Sequence, residues 1–412
     1  MITDVNRHSA PPSCSHTKRQ VISDALHIQQ ASPMPNVAYF TATVTQAGLS
    51  PREAATMAYD RLASWLADGS WQVVHERVFG SLSSRSAILE SRSEFPHLKH
   101  PAAKGPLTYI QGQPLWGDGL AGIQVQAVRL PNPKDVWDIT DGTVSWGKGW
   151  RRSGVTYLLM QNIHGHSTSD EHSRLSRFDE TMDMFDRAHQ LLRQHGAAYT
   201  DVVRTWIYLS KILDWYGEFN EARNRKYQEF GLMPRQMDSA PPTEFGLPAS
   251  TGIQGDNPLR AAAVMDVLAM TAETGKRPQI ERLGNVRQKD AFRYGAAFCR
   301  GTVIRDPELC QFQISGTAAI DEQGVSLYPD NAEGQIQRTL DNLESLMEPV
   351  GAGFSKVCSA TVFLKRAEDA AIYRQILRDR GLENLPAVCM VADICRSELL
   401  FELDAQAAWS AC

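Results

Sequence analysis

The chain has few of the signatures that announce a chemistry at first sight. Its seven cysteines (Cys14, Cys299, Cys310, Cys358, Cys389, Cys395 and Cys412) are odd in number and scattered, with no CxxC pair. That pattern argues for free thiols over a disulfide framework. No apolar run approaches the roughly 18 residues of a membrane span, and the start, MITDVNRHSAPPSCSHTKRQ, lacks the apolar segment of a secretory signal. The expectation is a cytoplasmic protein without membrane contact. HExxH, the P-loop frame and the GxSxG elbow are missing too, which sets aside the chemistries that depend on them. His164, His166 and His172 stand in one run, NIHGHSTSDEH, without a companion motif, so neither metal nor organic cofactor is expected. There is no basic block: 42 Lys and Arg against 47 Asp and Glu leave a net charge of −5, which speaks against a general nucleic-acid surface. Trp146, Lys148, Trp150, Arg151 and Arg152 mix rings and cations, and read as a lid or turn. A small anionic substrate stays open, because a few arginines in a cleft suffice.

What is present is one unit written three times. In the last third, LCQFQISGTAAI (309–320) reads as a strand. A helix follows over about 334–347, then strand KVCSATVFL (356–364), a helix over about 368–380, and strands around Val388 and Phe401. The middle third repeats the order: strand from Gly154, helix 180–195, strand DVVRTWIYL (201–209), helix 215–230 and strand AAAVMDVLAM from Ala261. The first third does so more faintly, with AYFTATVT, a helix over 51–66, QVVHERVFG, a short helix near Ser84, and LTYIQGQPL and GIQVQAVR. Such a unit gives a small sheet with helices on one face, and three copies can bury their other faces around a common axis. The expected division is a flexible tail over 1–35, a degenerate unit over 36–130, a Pro- and Gly-rich linker over 131–151, a middle unit over 152–275 and a last unit over 276–412.

One residue stands out against this repeat. In FELDAQA (401–407), alternation places Glu402 on a strand face with Asp404 and Gln406, between apolar neighbours. Overlaying the units puts Val264 and Gln124 at its place. Only one of three equivalent clefts then keeps the carboxylate, and a buried acid needs a partner or a use.

The last unit, with ISGTAAI, GAGFSKVCSATVFL, NLPAV and FELDAQA, resembles the Rid (YjgF-like) family. Its members are trimers whose sheets close a central barrel, with sites in the clefts between neighbours. The resemblance implies an α+β fold of three fused Rid-like, chorismate-mutase-like barrel units, an intrachain pseudo-trimer with sheets inside and helices outside. Imine-hydrolysing members carry Arg after the Pro-Ala pair, where this chain has Val388. A narrower resemblance is to the chorismatases, on RTWIYLSKILDWYGEFNEARNRKY, LPASTGIQG, RYGAAFCR and DICRSELLFELDA, spread over 204–407.

That resemblance implies cleavage of the enolpyruvyl ether of chorismate to pyruvate and 3-hydroxybenzoate or a dihydroxycyclohexadiene acid. Glu402 would be the general acid, and Cys395 would bias the product, as in the 3-hydroxybenzoate-forming branch. Substrate carboxylates need planar cations and rings beside them. The matching segments offer Arg293, Tyr294, Phe298, Arg300, Arg204, Tyr216, Arg223, Thr317 and Arg396. The partner expected is that small anion, for a monomer or weak homo-oligomer. Two further readings stand beside this one: a Rid-like hydrolase, deaminase or tautomerase on another small acid, and a non-catalytic metabolite-binding protein.

Overall fold

Polar caps start the first helix of each repeat, and alternating small, β-branched and aromatic residues make the strands around it. The computed structural model describes residues 17–22, 25–95, 107–117, 119–166, 175–234 and 245–411. The first unit runs β1 (Thr17–Ile22), β2 (Leu26–Met34), β3 (Val37–Val44), α1 (Pro51–Asp68), β4 (Gln72–Gly80), α2 (Arg85–Glu94), β5 (Thr108–Gln111), β6 (Gln113–Pro114) and β7 (Leu120–Val128). The middle unit holds β8 (Val136–Thr140), β9 (Ser145–Arg152), β10 (Val155–His164), α3 (Arg177–Gln194), β11 (Val202–Leu209), α4 (Ile212–Glu229), β12 (Ala249–Gln254) and β13 (Ala263–Ala272). The last contains β14 (Gln279–Leu283), β15 (Gly301–Arg305), β16 (Leu309–Ala318), α5 (Ala332–Met347), β17 (Val357–Leu364), α6 (Ala370–Asp379), β18 (Ala387–Val391) and β19 (Phe401–Ser410). Ser50, Ser176 and Asn331 cap α1, α3 and α5 by accepting from the amides of Glu53, Asp179 and Gly334. Each such cap contributes about 1 kcal/mol.

The three sheets share one strand order: β1-β2-β3-β7-β4-β5, β8-β9-β10-β13-β11-β12 and β14-β15-β16-β19-β17-β18. In each, the last two strands run parallel. The first unit, faintest in sequence, is therefore the same fold. Apolar residues on one side of each sheet pack under its helices; α5 alone buries Ile336, Leu340, Leu343 and Leu346 there. Truncating one of these to Ala costs about 2–5 kcal/mol. The other sheet faces meet in an inner core drawn from all three units, with Phe79 and Ile110, Trp206 and Tyr208, and Phe363 and Val388. Sheets lie inside and helices outside. β6 leaves its own unit and pairs with β18, adding a seventh strand to the last sheet. Among the described residues no helix is long and apolar enough to cross a membrane.

The same bulge interrupts each central ladder, at Val74, Val203 and Cys358, and it aligns the units without ambiguity. Past it, His75, Arg204 and Ser359 face Gln126, Leu268 and Gln406. Counting four residues back along the partner strand gives Gly122, Val264 and Glu402. The place of Glu402 in the first unit is therefore held by Gly122, and Gln124 aligns with Asp266 and Asp404. A shift of two residues preserves the alternation, so periodicity alone does not detect it.

Two boundaries are also corrected. Residues 17–34, read as loose tail, form β1 and β2; residues 1–16 lie outside the described part. Gln29 and Gln30 are buried, and Gln29 donates to the Asn384 carbonyl of the last unit, so these polar residues face a junction. The linker over 131–151 is largely β8 and β9. Its glycines permit close approach: a Cβ on Gly147 would lie 2.0 Å from the Leu159 carbonyl, and one on Gly149 2.3 Å from the Trp137 ring. Nor is it a lid or turn: Trp150 stacks on Tyr157, and buried Lys148 and Arg152 pair with Asp138 and Asp306.

Candidate active site

On β19 the odd residues Phe401, Leu403 and Ala405 enter the core under the helices, and the even residues Glu402, Asp404 and Gln406 point to the inner face. That face is a junction between units, and Glu402 is only 4% exposed. Room for its carboxyl comes from Gly316, beside a bulge between Ile314 and Thr317 on β16. A Cβ there would lie 2.1 Å from Glu402 Oε1.

The carboxyl looks into a pocket of about 260 Å³ between the middle and last units. Arg300, Tyr294 and Phe298 form one wall, Cys395 and Arg396 another, and Tyr216 comes across from α4. Arg300 is buried; its Nη2 donates to the Lys289 carbonyl (2.5 Å) and Tyr294 Oη (2.9 Å), and the guanidinium lies 5.5 Å from the Phe298 ring centre. Arg396 donates to the Gly324 carbonyl (2.9 Å) and Ser326 Oγ (3.1 Å), 5.2 Å from the Tyr294 ring. The Tyr294 ring thus lies beside two guanidiniums, and Glu402 is the only acid in the pocket wall among the described residues.

Among those residues no group hydrogen-bonds the Glu402 carboxyl. Burial first, and then the Asp404 carboxylate, push it up to about 8 against the pull of Arg300 and Arg204. That shift favours the protonated acid at neutral pH. Burial, with Glu402 next, pushes the Cys395 thiol up to about 12, so it is a neutral wall and no nucleophile.

Four expected substrate contacts lie off this wall. Arg293 is half exposed beside Asp290 (3.8 Å), stacked on Phe292. Thr317 points to the opposite face from Gly316 and Ala318, its hydroxyl donating to the Ser315 carbonyl. Arg223 is fully buried behind the wall, donating to Asn220 and stacked on Phe219 and Phe298. Arg204 lies deeper, in an ion pair with Asp404 at 3.1 Å. Conversely, Asn220, Ser250 and Gly252 line the pocket without having been singled out. The signal was LPASTGIQG, where a hydroxyl and a glycine alternate on one strand face. Ser250 Oγ accepts from Thr205 Oγ1 at 2.8 Å, which leaves its own proton for the pocket.

The histidine run holds no metal cluster among the described residues. His164 Nδ1 bonds the Asn162 carbonyl and His166 the Asp183 carboxylate, while His172 lies outside the described part.

Comparison with known proteins agrees with the repeat. The Endoribonuclease L-PSP family model matches residues 308–409. The chain is 25% identical to a 3-hydroxybenzoate synthase of Streptomyces hygroscopicus over 298 residues, 66% of this chain and 80% of that protein. It is 30% identical to the RutC family protein UK114 of Drosophila melanogaster over 74 residues, 18% of this chain and 54% of that one. A crystal structure of a chorismatase superposes with a TM-score of 0.58 at 20% identity, covering 82% of this chain and 93% of that one. With three sheets of one topology, the chain shares the fold of the chorismatase structure over most of its length, and its last unit matches the Endoribonuclease L-PSP family.

Proposed function

We propose that the protein is an enzyme that cleaves the enolpyruvyl ether of chorismate, releasing pyruvate and 3-hydroxybenzoate. The observation that carries this reading is Glu402: a buried carboxylic acid, protonated near neutral pH and without a hydrogen-bond partner among the described residues, in a cleft with two arginines. Isolated acids of this kind are costly unless they deliver a proton.

Chorismate presents two carboxylates and an enol ether. Arg300 and Arg396 are placed to hold carboxylate charge, with Tyr294 and Phe298 against the ring. Glu402 protonates the methylene carbon of the enolpyruvyl group, giving an oxocarbenium ion. A ring hydroxyl traps the cation; departure of pyruvate and aromatisation then give 3-hydroxybenzoate, with atoms conserved overall. Water admitted instead gives pyruvate and the dihydroxycyclohexadiene acid. The glutamate left behind takes up a proton as base. These steps move protons and exchange C–O bonds without electron transfer. The similarity to a 3-hydroxybenzoate synthase and Cys395 beside the acid support the aromatic product.

Mixing the protein with chorismate and assaying pyruvate, with chromatography of the ring product, tests the reading. One pyruvate per chorismate consumed, accompanied by 3-hydroxybenzoate, is expected. Absence of pyruvate would overturn it.

A further inference from the structure

The Glu402 cleft differs from its two counterparts in what stands behind it. Asp404, two residues along β19 on the same inner face, accepts hydrogen bonds from Thr251 Oγ1 (2.7 Å) and Arg204 Nη2 (3.1 Å). Arg204 Nη2 also donates to Thr251 Oγ1, at 2.6 Å. Both partners belong to the middle unit, so the cluster spans the junction. At the equivalent places Asp266 meets His75 and Thr108, and Gln124 donates to the Ala360 carbonyl. Only behind Glu402 does the aligned position carry a guanidinium. Arg204 is fully buried, 4.7 Å from the Trp206 ring, so solvent does not screen its charge.

We infer that Asp404 and Arg204, held together by Thr251, are positioning residues for Glu402: the middle unit governs the acid strength of a group carried by the last. The carboxylate and the guanidinium act on the Glu402 proton with opposite signs, and the hydroxyl between them holds their separation. The other groups facing Glu402 are Arg300 ahead of β15, Cys395 and Arg396 from the loop before β19, Tyr216 from α4 and Tyr294 from the turn at 291–294. Burial keeps the Cys395 thiol and the Tyr216 phenol neutral through the physiological range. The negative charge opposing the arginines here is that of Asp404.

This inference rests on the proposed role of Glu402 as the acid, but its test uses no substrate. In protein labelled with ¹³C at the glutamate carboxyl, the Glu402 signal is assigned by its loss in Glu402→Gln, and its titration midpoint is followed in variants. Asp404→Asn lowers the midpoint and Arg204→Gln raises it, each by about one pH unit, while the double variant returns to within about half a unit of the parent. Arg204→Lys, which keeps the charge, leaves it nearly unmoved. Breaking a buried pair endangers folding; if one single variant fails to fold, the sign of the other's shift decides, and if both fail, Thr251→Val, which removes the hydroxyl that holds the pair, replaces them with a displaced midpoint expected. Shifts of the stated signs, or that displacement, support the inference. Single-variant shifts of the same sign, no shift, or a displaced midpoint in Arg204→Lys overturn it. If the shifts appear but chorismate yields no pyruvate, the functional reading falls and the charge pair stands. If pyruvate forms and the midpoint ignores both residues, the pair alone falls.

Discussion

The junction between the middle and last units and the junction between the first and middle units are built from the same parts and end in different chemistry. In both, an aspartate of the inner strand reaches across to a threonine hydroxyl and a nitrogen side chain: Asp404 to Thr251 and Arg204, Asp266 to Thr108 and His75. In the first–middle junction Asp266 also accepts from the Asn162 amide. Two residues before the aspartate the junctions part, Glu402 against Val264. A cleft at the first–middle junction is the larger, about 490 Å³, and contains Glu180, but that carboxylate accepts the Ala262 amide. Aspartate ties thus fasten the sheets at both junctions. The first–middle cleft also holds Asp256, whose Oδ1 has no hydrogen-bond partner among the described residues, but on the loop after β12. Of the aligned inner-strand places Gly122, Val264 and Glu402, the acid stands where Gly316 leaves room for it.

The largest test of this contrast makes the two clefts chemically alike. Glu402→Gln keeps the shape and removes the deliverable proton, so turnover of chorismate should fall by about 10² to 10⁴ while binding persists. Steady-state kinetics and equilibrium binding read the two effects separately, and near-normal turnover would return Glu402 to the rank of Val264. The same variant carries a stability signature. The folded-state pKa of Glu402 is raised from 4.5 to about 8, so folding favours the protonated form. That contribution is fully present below the unfolded pKa near 4.5, is lost as pH rises, and is gone above about 8, a swing on the order of 5 kcal/mol. Denaturant melts should show the parent losing stability relative to Glu402→Gln between those limits.

Gly316→Ala sharpens the contrast at the level of space. The added methyl collides with the carboxyl, so turnover should drop roughly tenfold, about 1.4 kcal/mol in the barrier. Gly316 has no left-handed backbone to strain, so a circular dichroism spectrum like the parent's should accompany the loss. The smallest effect is expected at Cys395→Ala. Emptying a thiol-sized space admits water beside the ring and should move the product ratio a few-fold toward the diene diol, well under about 1.4 kcal/mol, with pyruvate release unchanged. Chromatography of both ring products checks it.

The repeat and its outer helices were legible in the sequence because burial under α1, α3 and α5 imposes a clear period. The inner faces were less so, since three sheets meeting one another bury glutamines, threonines and arginines that a single amphipathic sheet would expose. Hence Gln29 and Gln30 read as tail, and Arg204 as a substrate contact. Gly147 and Gly149 read as linker because a glycine pressed on a neighbouring strand or a tryptophan ring looks, in one dimension, like a turn. Glu402 was legible as an isolated acid on an apolar strand. Gly316, which gives it room, was visible only as part of SGT.

The strap formed by β6 has a consequence for how the molecule reaches its native state. Gln113 and Pro114 pair with Val391 and Met390, and Arg374 on α6 donates to the Thr45 carbonyl, so the ring of units is closed by contacts between opposite thirds of the chain. During synthesis the first two units emerge with Val37 and Tyr39, which pack with Leu309, Cys358 and Ala408 of the last unit, uncovered, and the strap has no partner until residue 391 is made. Pairings of such sequence separation form slowly. The ring therefore closes last, and the interval before closure is when the nascent chain is most open to association with its neighbours.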